Sequence, residues 1–173
     1  MERTIVEYPE PVLRDHTAEI ERIDVTVKTL SDEMIRLLAQ SNGIGLAAPQ
    51  VGERRRLILV DVEGDFHILV NPEVVELGDE QEPFPEGCLS IPGIEGDVWR
   101  PKRALIRGYT LDEREVELER EGLPARVLLH EIDHLNGRLF VDHLGAAKRR
   151  RLLKEYDRLQ REGQTEQASH SPL

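Results

Sequence analysis

The chain has 173 residues, of which 39% are hydrophobic, and its formal net charge at pH 7 is −11. This apolar content excludes a wholly disordered chain, and the acidity argues against a DNA partner, because nonspecific DNA affinity comes mainly from basic side chains. No apolar run approaches the ~20 residues of a membrane helix, and the first residues lack a signal-peptide pattern, so we expect a cytoplasmic protein without a membrane partner. The single cysteine, Cys88, excludes an internal disulfide.

The hydrophobic pattern predicts a helix early in the chain and short strands after it. Apolar residues at helical spacing indicate a helix over 24–41, with Asp24 able to cap its start. The glycine- and proline-rich stretch 84–101 is expected to be a loop with extended pieces. A turn is predicted at 112–114. Strands are predicted at 57–62, 68–70, 74–77, 104–111 and 116–118.

Two further helices are predicted in the last third of the chain. One runs from about 123 to 136, since a proline suits its first turn and a glycine follows its end. The other covers about 146–162. We therefore expect one catalytic domain over 1–162, followed by a disordered polar tail at 163–173. A helix, several short strands and then two helices indicate an α+β fold rather than alternating βαβ units.

The strongest chemical signal is the sequence HEIDH at 130–134, inside a predicted helix. His130 and His134 lie four residues apart on one helical face, where two imidazoles can converge on a divalent ion. Glu131 can reach water at such an ion without being a ligand. The alternative is two ordinary histidines, but their apolar neighbours indicate a buried helix, in which histidines and carboxylates need partners. A metal site is the better interpretation.

The third ligand would decide the class of enzyme. Zinc proteases of the metzincin type need a histidine six residues after the second one, and Phe140 stands there instead. Glu155 has a spacing compatible with thermolysin-type proteases, although its charged neighbours suggest a solvated side of a helix. Cys88 is the better candidate, because it lies in a loop constrained by prolines and its thiolate is a soft, charged ligand. Without the two histidines, a buried small hydrophobic residue would be the preferred reading of this cysteine.

Three separated segments together resemble the signature motifs of the peptide deformylase family. They are GIGLAAPQ at 43–50, EGCLS at 86–90 and HEIDH at 130–134, and they match that family in order and spacing. The resemblance implies an α+β fold in which a central metal-binding helix is packed between antiparallel β-sheets, with an N-terminal and a C-terminal helix. It also implies an activity, the removal of the N-terminal formyl group from formyl-methionyl nascent polypeptides, with release of formate.

The resemblance further implies roles for individual residues. One divalent ion per chain would be held by Cys88, His130 and His134; this ion is often iron(II) in the family, and zinc, nickel or cobalt can occupy the site. Glu131 would act as general acid and base, and the Gln50 side chain with the Leu89 backbone N–H would stabilise the oxyanion. The residues expected to bind the peptide are Gly43, Ile44, Gly45, Glu86 and Gly87. A methionine pocket could be lined by Ile44, Phe84, Leu123, Val127 and Leu128; for all of these but Ile44, which lies inside a motif, ordinary core packing is nearly as good a reading.

Other charged residues have two readings each. Family behaviour suggests that the basic helix at 146–162 docks on the ribosome, while the alternative is a solvated helix with internal pairs such as Arg151 with Glu155. Asp133 and Arg100 are either an ion pair behind the metal site or separate surface charges. A structural or exposed position is expected for His16, His67, His143 and His170. An endopeptidase using Glu155 and a non-enzymatic metal- or peptide-binding domain remain the alternative functions.

Overall fold

The computed structural model describes residues 2–163. In this part of the chain the α-helices are α1 (Val25–Ala39), α2 (Leu123–Leu135) and α3 (Ala146–Arg161). The strands are β1 (Gly45–Ala47), β2 (Leu57–Val62), β3 (Asp65–Leu77), β4 (Gln81–Glu86), β5 (Gly96–Pro101), β6 (Arg103–Tyr109) and β7 (Glu115–Glu121). Short 3-10 helices lie at Pro11–Arg14, Ala48–Val51 and Phe140–His143. The predicted α+β class is confirmed.

Two antiparallel sheets enclose helix α2. The larger sheet has the strand order β1-β2-β3-β6-β7, and the smaller one is the β4-β5 hairpin. Helix α2 packs against strands of the larger sheet and against β5 of the smaller one. Its apolar side chains form a core cluster with side chains of β2, β3 and β6. The helix that carries both histidines therefore lies between the two sheets, as the resemblance implies.

The helix boundaries follow the local signals in the sequence. At the start of α1, the Asp24 side chain accepts hydrogen bonds from the N–H groups of Thr26 and Val27, at 3.0 and 3.3 Å. Helix α2 ends just before Gly137, which has a φ of +70° and whose missing Cβ would collide with the carbonyl of Arg14. These three predicted helices are confirmed to within one or two residues, which is the ordinary uncertainty of helix ends.

The strands at 68–70 and 74–77, predicted as separate, belong to one strand, β3. Its register with β6 shifts between Val70 and Glu73, where Asn71 has a φ of +51°. The Asn71 side chain accepts a hydrogen bond from the Ile20 N–H and donates one to the Ile20 carbonyl, each at 2.8 Å. These hydrogen bonds stabilise the register shift within β3, at the point where the sequence pattern suggests that one strand ends and another begins.

The stretch 84–101 has the expected loop with extended pieces, since β4 covers 84–86 and β5 covers 96–101, but the pairing of these two strands as a hairpin was not predicted. Pro83 and Pro85 lie two residues apart, so their backbone nitrogens, which carry no hydrogen, face the same edge of β4. A proline is tolerated there because the outer edge of an edge strand does not need N–H donors for a neighbouring strand. Strand β1 was not predicted either, since GIGLAA has no β-branched alternation beyond one isoleucine.

Helix α3 packs on the N-terminal segment through one apolar side. Tyr156 is buried, and its hydroxyl donates a hydrogen bond of 2.9 Å to the Tyr8 carbonyl. Within residues 2–163 no helix is long and apolar enough to span a membrane. The predicted tail, apart from Gly163, and His170 lie outside the described residues, and the domain boundary at 162 stays a prediction.

Candidate metal centre

The three predicted ligands come from two elements that meet at the core. His130 and His134 are one turn apart on α2, and Cys88 follows the end of β4. One donor atom from each lies within 4.8 Å of the others, and all three residues are buried. The Cys88 sulfur is 3.4 Å from His134 Nε2. The structure therefore brings together side chains that are more than 40 positions apart in the sequence.

The donor set fits one metal ion. A thiolate and two imidazoles suit iron or zinc, and three protein ligands leave one position open for water or substrate, as in catalytic sites. His130 Nδ1 lies 2.9 Å from Glu86 Oε1, so this contact fixes the ring and leaves Nε2 for a metal. Within the described chain, Glu131 Oε1 is buried without a hydrogen-bond partner, which suits a neighbouring water at an ion.

The environment of the site separates the charge states of its titratable groups. Burial raises the pKa of Glu131 to about 7, against the opposing effect of a positive His130. Burial, assisted by a positive His130, holds the pKa of His134 well below its ordinary value, so this ring is neutral, as a metal ligand needs to be. Burial acts to lower the pKa of His130, but hydrogen bonds to Cys88 and Glu86 outweigh it and raise that pKa well above the ordinary value.

Glu86 is the central acceptor behind the metal site. It is buried, and its two oxygens accept hydrogen bonds from Arg100 Nε (2.6 Å) and Nη2 (2.9 Å) and from Arg126 Nη1 (2.7 Å). Although burial acts to raise it, hydrogen bonds from His130 and Arg100 hold the pKa of Glu86 well below its ordinary value. The carboxylate is thus charged and fully engaged. Because the Glu86 side chain is occupied in this way, only the backbone of Glu86 is left to contact a peptide. The predicted contacts of Glu86 and Gly87 with the peptide stay predictions.

Arg100 and Asp133 form the ion pair that was one of their two expected readings. Arg100 Nη1 lies 3.0 Å from Asp133 Oδ2, and the same oxygen lies 2.8 Å from His143 Nε2. His143, which was expected to be structural or exposed, therefore contacts the carboxylate of Asp133, the residue just before the predicted ligand His134. Arg126 was missed, although a basic residue four positions before His130 on a helix expected to be buried was a usable signal.

Gln50 is buried beside the Cys88 sulfur. Its Oε1 accepts a hydrogen bond of 2.9 Å from the Ala47 N–H, and its Nε2 donates one of 3.1 Å to Ser90 Oγ. The same nitrogen is 3.5 Å from Cys88 Sγ. These contacts orient the amide so that its N–H groups, not its oxygen, face the predicted ligands. Ser90 was not singled out from the sequence.

The two glycines before Gln50 make room for side chains of the site. A Cβ on Gly45 would overlap the carboxylate of Glu131 and lie 3.0 Å from its Cγ, and a Cβ on Gly43 would lie 2.9 Å from Leu89 Cδ1. A side chain at position 45 would therefore displace the Glu131 carboxylate, and one at position 43 would push the end of the Leu89 side chain aside.

The candidates for a methionine pocket divide into two groups. Val127 and Leu128 are buried in the core cluster of α2, which favours ordinary packing for them. Ile44 and Leu123 pack against that cluster but are only partly buried, and Phe84 is 43% exposed beside the Arg126 guanidinium. The partly buried side chains remain the candidates for contact with a substrate.

Glu155 does not join the histidines. It lies on α3 in an ion pair of 2.5 Å with Arg158, and the metal-ligand group found among residues 2–163 contains Cys88, His130 and His134. A thermolysin-type ligand set is therefore not assembled.

Comparison with known proteins agrees with this geometry. The polypeptide deformylase family model matches residues 2–150. A peptide deformylase from Chromohalobacter salexigens is 44% identical over 161 residues, which cover 91% of this chain and 95% of that protein. The crystal structure of a peptide deformylase from Legionella pneumophila is similar with a TM-score of 0.85 and 38% identity, covering 93% of this chain and 98% of that one. The crystal structure of a peptide deformylase from Synechococcus elongatus in complex with actinonin is similar with a TM-score of 0.85 and 35% identity. The match covers 90% of this chain and 86% of that one. The chain belongs to the polypeptide deformylase family.

Proposed function

We propose that this protein removes the N-terminal formyl group from formyl-methionyl nascent polypeptides in the cytoplasm, releasing formate and a free amine. The observation that carries the proposal is the group formed by Cys88, His130 and His134, with donor atoms within 4.8 Å of one another. Glu131, buried and next to His130 in the sequence, supplies the acid–base group that such a hydrolysis needs.

Cys88, His130 and His134 would hold one divalent ion, natively iron(II), with zinc, nickel or cobalt able to take its place. When bound, such an ion polarises a carbonyl and lowers the pKa of water. The mixed sulfur and nitrogen donors support this assignment, because they suit both iron and zinc.

Glu131 moves the proton in this proposal. Its carboxylate accepts a proton from the attacking water as the new C–O bond forms, and it passes that proton to the leaving nitrogen as the C–N bond breaks. A pKa of about 7, raised by burial, places the group between acid and base near neutral pH. A bound cation favours the charged form and would draw this pKa down.

Gln50 and Leu89 stabilise the negative oxygen of the tetrahedral intermediate. The fixed orientation of the Gln50 amide, with Nε2 towards the sulfur, supports its role as a donor. The Leu89 backbone N–H, directly after Cys88, is proposed as the second donor. Losing one such donor typically lowers the rate by about 10²–10³-fold.

The peptide is proposed to add as a strand beside residues 43–45 and 86–87. Strand β1 is the outermost strand of the larger sheet, so one of its edges has no partner strand among the described residues. An extended peptide can use such an edge for main-chain hydrogen bonds. The proposed contacts are Gly43, Ile44, Gly45, Glu86 and Gly87.

A formate-release assay tests the function. With formyl-Met-Ala as substrate, we expect formate in amounts equal to the free amine, and no cleavage of internal peptide bonds. Cleavage inside a blocked peptide would instead support an endopeptidase. The absence of both products from protein loaded anaerobically with iron would support a binding domain.

Replacing Gly45 by alanine should lower kcat by roughly 10²-fold, because the new Cβ displaces the Glu131 carboxylate and misplacement of about 1 Å has this cost. The measurement is formate release at saturating substrate. Gly145→Ala is a matched control, since among residues 2–163 no atom beyond its chain neighbours lies within 4 Å of a Cβ at that position. Full activity of Gly45→Ala would show that Glu131 does not need its observed position.

The exposed basic side of α3 is proposed to dock near the ribosomal exit tunnel, where substrates emerge. Arg150, Arg151, Lys154 and Arg161 are exposed on this side. The internal pair considered for Arg151 is not formed, because Glu155 pairs with Arg158 instead. Among residues 2–163 no ion pair is formed by these four side chains, so within the described chain they can contact RNA phosphates.

Reversing the charges of Arg150, Arg151 and Lys154 to glutamate should abolish sedimentation of the protein with ribosomes at low salt. The control carries three reversals at exposed positions elsewhere, Arg22, Lys28 and Arg114. Equal sedimentation of both variants and the parent would contradict docking through α3.

A further inference from the structure

Four charged side chains form a buried cluster between α2 and the β4-β5 hairpin. Glu86 and Arg100 come from the hairpin, and Arg126 and Asp133 come from the helix. The exposed fractions of these side chains are 0% for Glu86, 5% for Arg100, 3% for Arg126 and 16% for Asp133. Each of these buried charges has a partner of opposite sign within the cluster, as burial requires.

The two arginines cross the interface in opposite directions. Arg100 reaches from β5 to Asp133 on α2, and Arg126 reaches from α2 to Glu86 at the end of β4. Arg126 also donates to two backbone carbonyls, from Nη1 to Val98 of β5 and from Nη2 to Glu82 of β4, each at 2.7 Å. One side chain of the helix is thus bonded to both strands of the hairpin.

These bonds lie next to the metal ligands on both elements. Arg126 is one helical turn before His130, and Glu86, its acceptor, is two residues before Cys88. The distance between the sulfur and the imidazoles therefore depends on how the hairpin is docked on the helix. Metal ligation tolerates donor displacements of only about 0.2 Å.

We propose that Arg126 is a positioning residue of the metal centre. Its planar guanidinium fixes the hairpin against α2, and it also holds the Glu86 oxygens so that one of them faces His130 Nδ1. The proposal rests on the metal site of the proposed function, but not on the reaction catalysed there.

A purely structural arginine would behave differently. Removing it would lower the free energy of unfolding, because an unpaired buried carboxylate remains, but the folded protein would bind a metal ion as tightly as before. A positioning arginine changes the affinity of the folded protein itself. The two roles are separated by measuring metal affinity and unfolding in the same variants.

The test is a titration of the metal-stripped protein with Co²⁺ alone, followed by the sulfur-to-cobalt absorption band. Arg126→Met, which keeps the stem and loses the donors, should weaken Co²⁺ binding by about 10–100-fold, the usual cost of losing a partner of a ligand. Arg120→Met is the control. Arg120 lies on β7 and pairs with Asp65 of β3 at 2.8 Å, outside the interface between α2 and the hairpin, so this variant should bind Co²⁺ like the parent.

A second variant covers the case in which Arg126→Met does not fold. Arg126→Lys keeps the charge balance, but a single ammonium cannot reproduce a planar fork bonded to three acceptors. It should weaken Co²⁺ binding in the same direction and alter the absorption band. Parent-like affinity and an unchanged band in either folded variant would overturn the proposal. Because the readout is binding, this result is independent of whether formate is released.

Discussion

Replacing Glu131 by glutamine should lower kcat for formyl-Met-Ala hydrolysis by about 10²–10⁴-fold, which is the usual contribution of a general acid–base group. The amide has nearly the same shape but cannot accept or deliver the proton. Glu131 is not part of the ligand group, so the variant should keep its metal. The measurements are formate release and metal content per chain.

The matched control for this prediction is Glu155→Gln. Glu155 lies on α3 in an ion pair with Arg158 and outside the metal-ligand group, so its removal should leave the activity unchanged. If Glu131→Gln retained parental activity, another group would have to carry the proton. If it lost the metal, Glu131 would be a ligand.

The same variant should also change how the stability of the metal-stripped protein depends on pH. Burial raises the pKa of Glu131 from 4.5 to about 7, so the folded state holds this proton more tightly than the unfolded state. The resulting stability is present below about pH 4.5 and is lost as the pH rises to about 7. Glu131→Gln should remove this loss. The measurement is the melting temperature of both metal-stripped proteins from pH 5 to 8. Equal dependence of the melting temperature on pH in the two proteins would contradict a raised pKa for Glu131.

Replacing Cys88 by serine should abolish tight metal binding and, with it, deformylase activity. The hydroxyl is nearly isosteric but is a poor ligand beside a thiolate. The loss of affinity should exceed the ~10–100-fold that removing a partner of a ligand costs. Metal content after anaerobic purification and the Co²⁺ affinity are the measurements.

One outcome of the Cys88→Ser experiment would contradict this account. A variant that keeps both metal and activity would have its third ligand elsewhere. A variant that loses activity because it is unfolded would be recognised by its circular dichroism, and the Co²⁺ titration would then be made on Cys88→Ala. Loss of Co²⁺ binding in a folded variant is the expected result.

The parts of the fold that could be predicted depend on local signals. The cap at Asp24, the proline at 124 and the glycine at 137 act within a few residues, so the helices they delimit were found correctly. The β4-β5 hairpin was missed because prolines usually mark loops. The prolines of β4 are tolerated because their nitrogens face the outer edge of an edge strand, which the sequence does not reveal. The continuity of β3 depends on the side chain of Asn71 bonding to Ile20, which no local pattern reveals.

The candidate site divides in the same way. The ligands and Glu131 lie in short motifs whose spacing expresses their chemistry, so they could be read directly from the sequence. The contacts that hold them are long-range: Arg126 and His130 reach Glu86 from 40 and 44 positions away, and Gln50 reaches Ser90 over 40 positions. Such partners follow only from the packing of the hairpin on α2 and of the segment after β4 on residues 48–51.

X-ray absorption at the edge of the bound metal tests the central claim most directly. For protein loaded anaerobically with zinc, we expect one sulfur at about 2.3 Å and two imidazole nitrogens at about 2.0–2.1 Å, with a lighter atom completing the shell. A spectrum without sulfur scattering, or one that is unchanged in Cys88→Ser, would contradict a centre built from Cys88, His130 and His134.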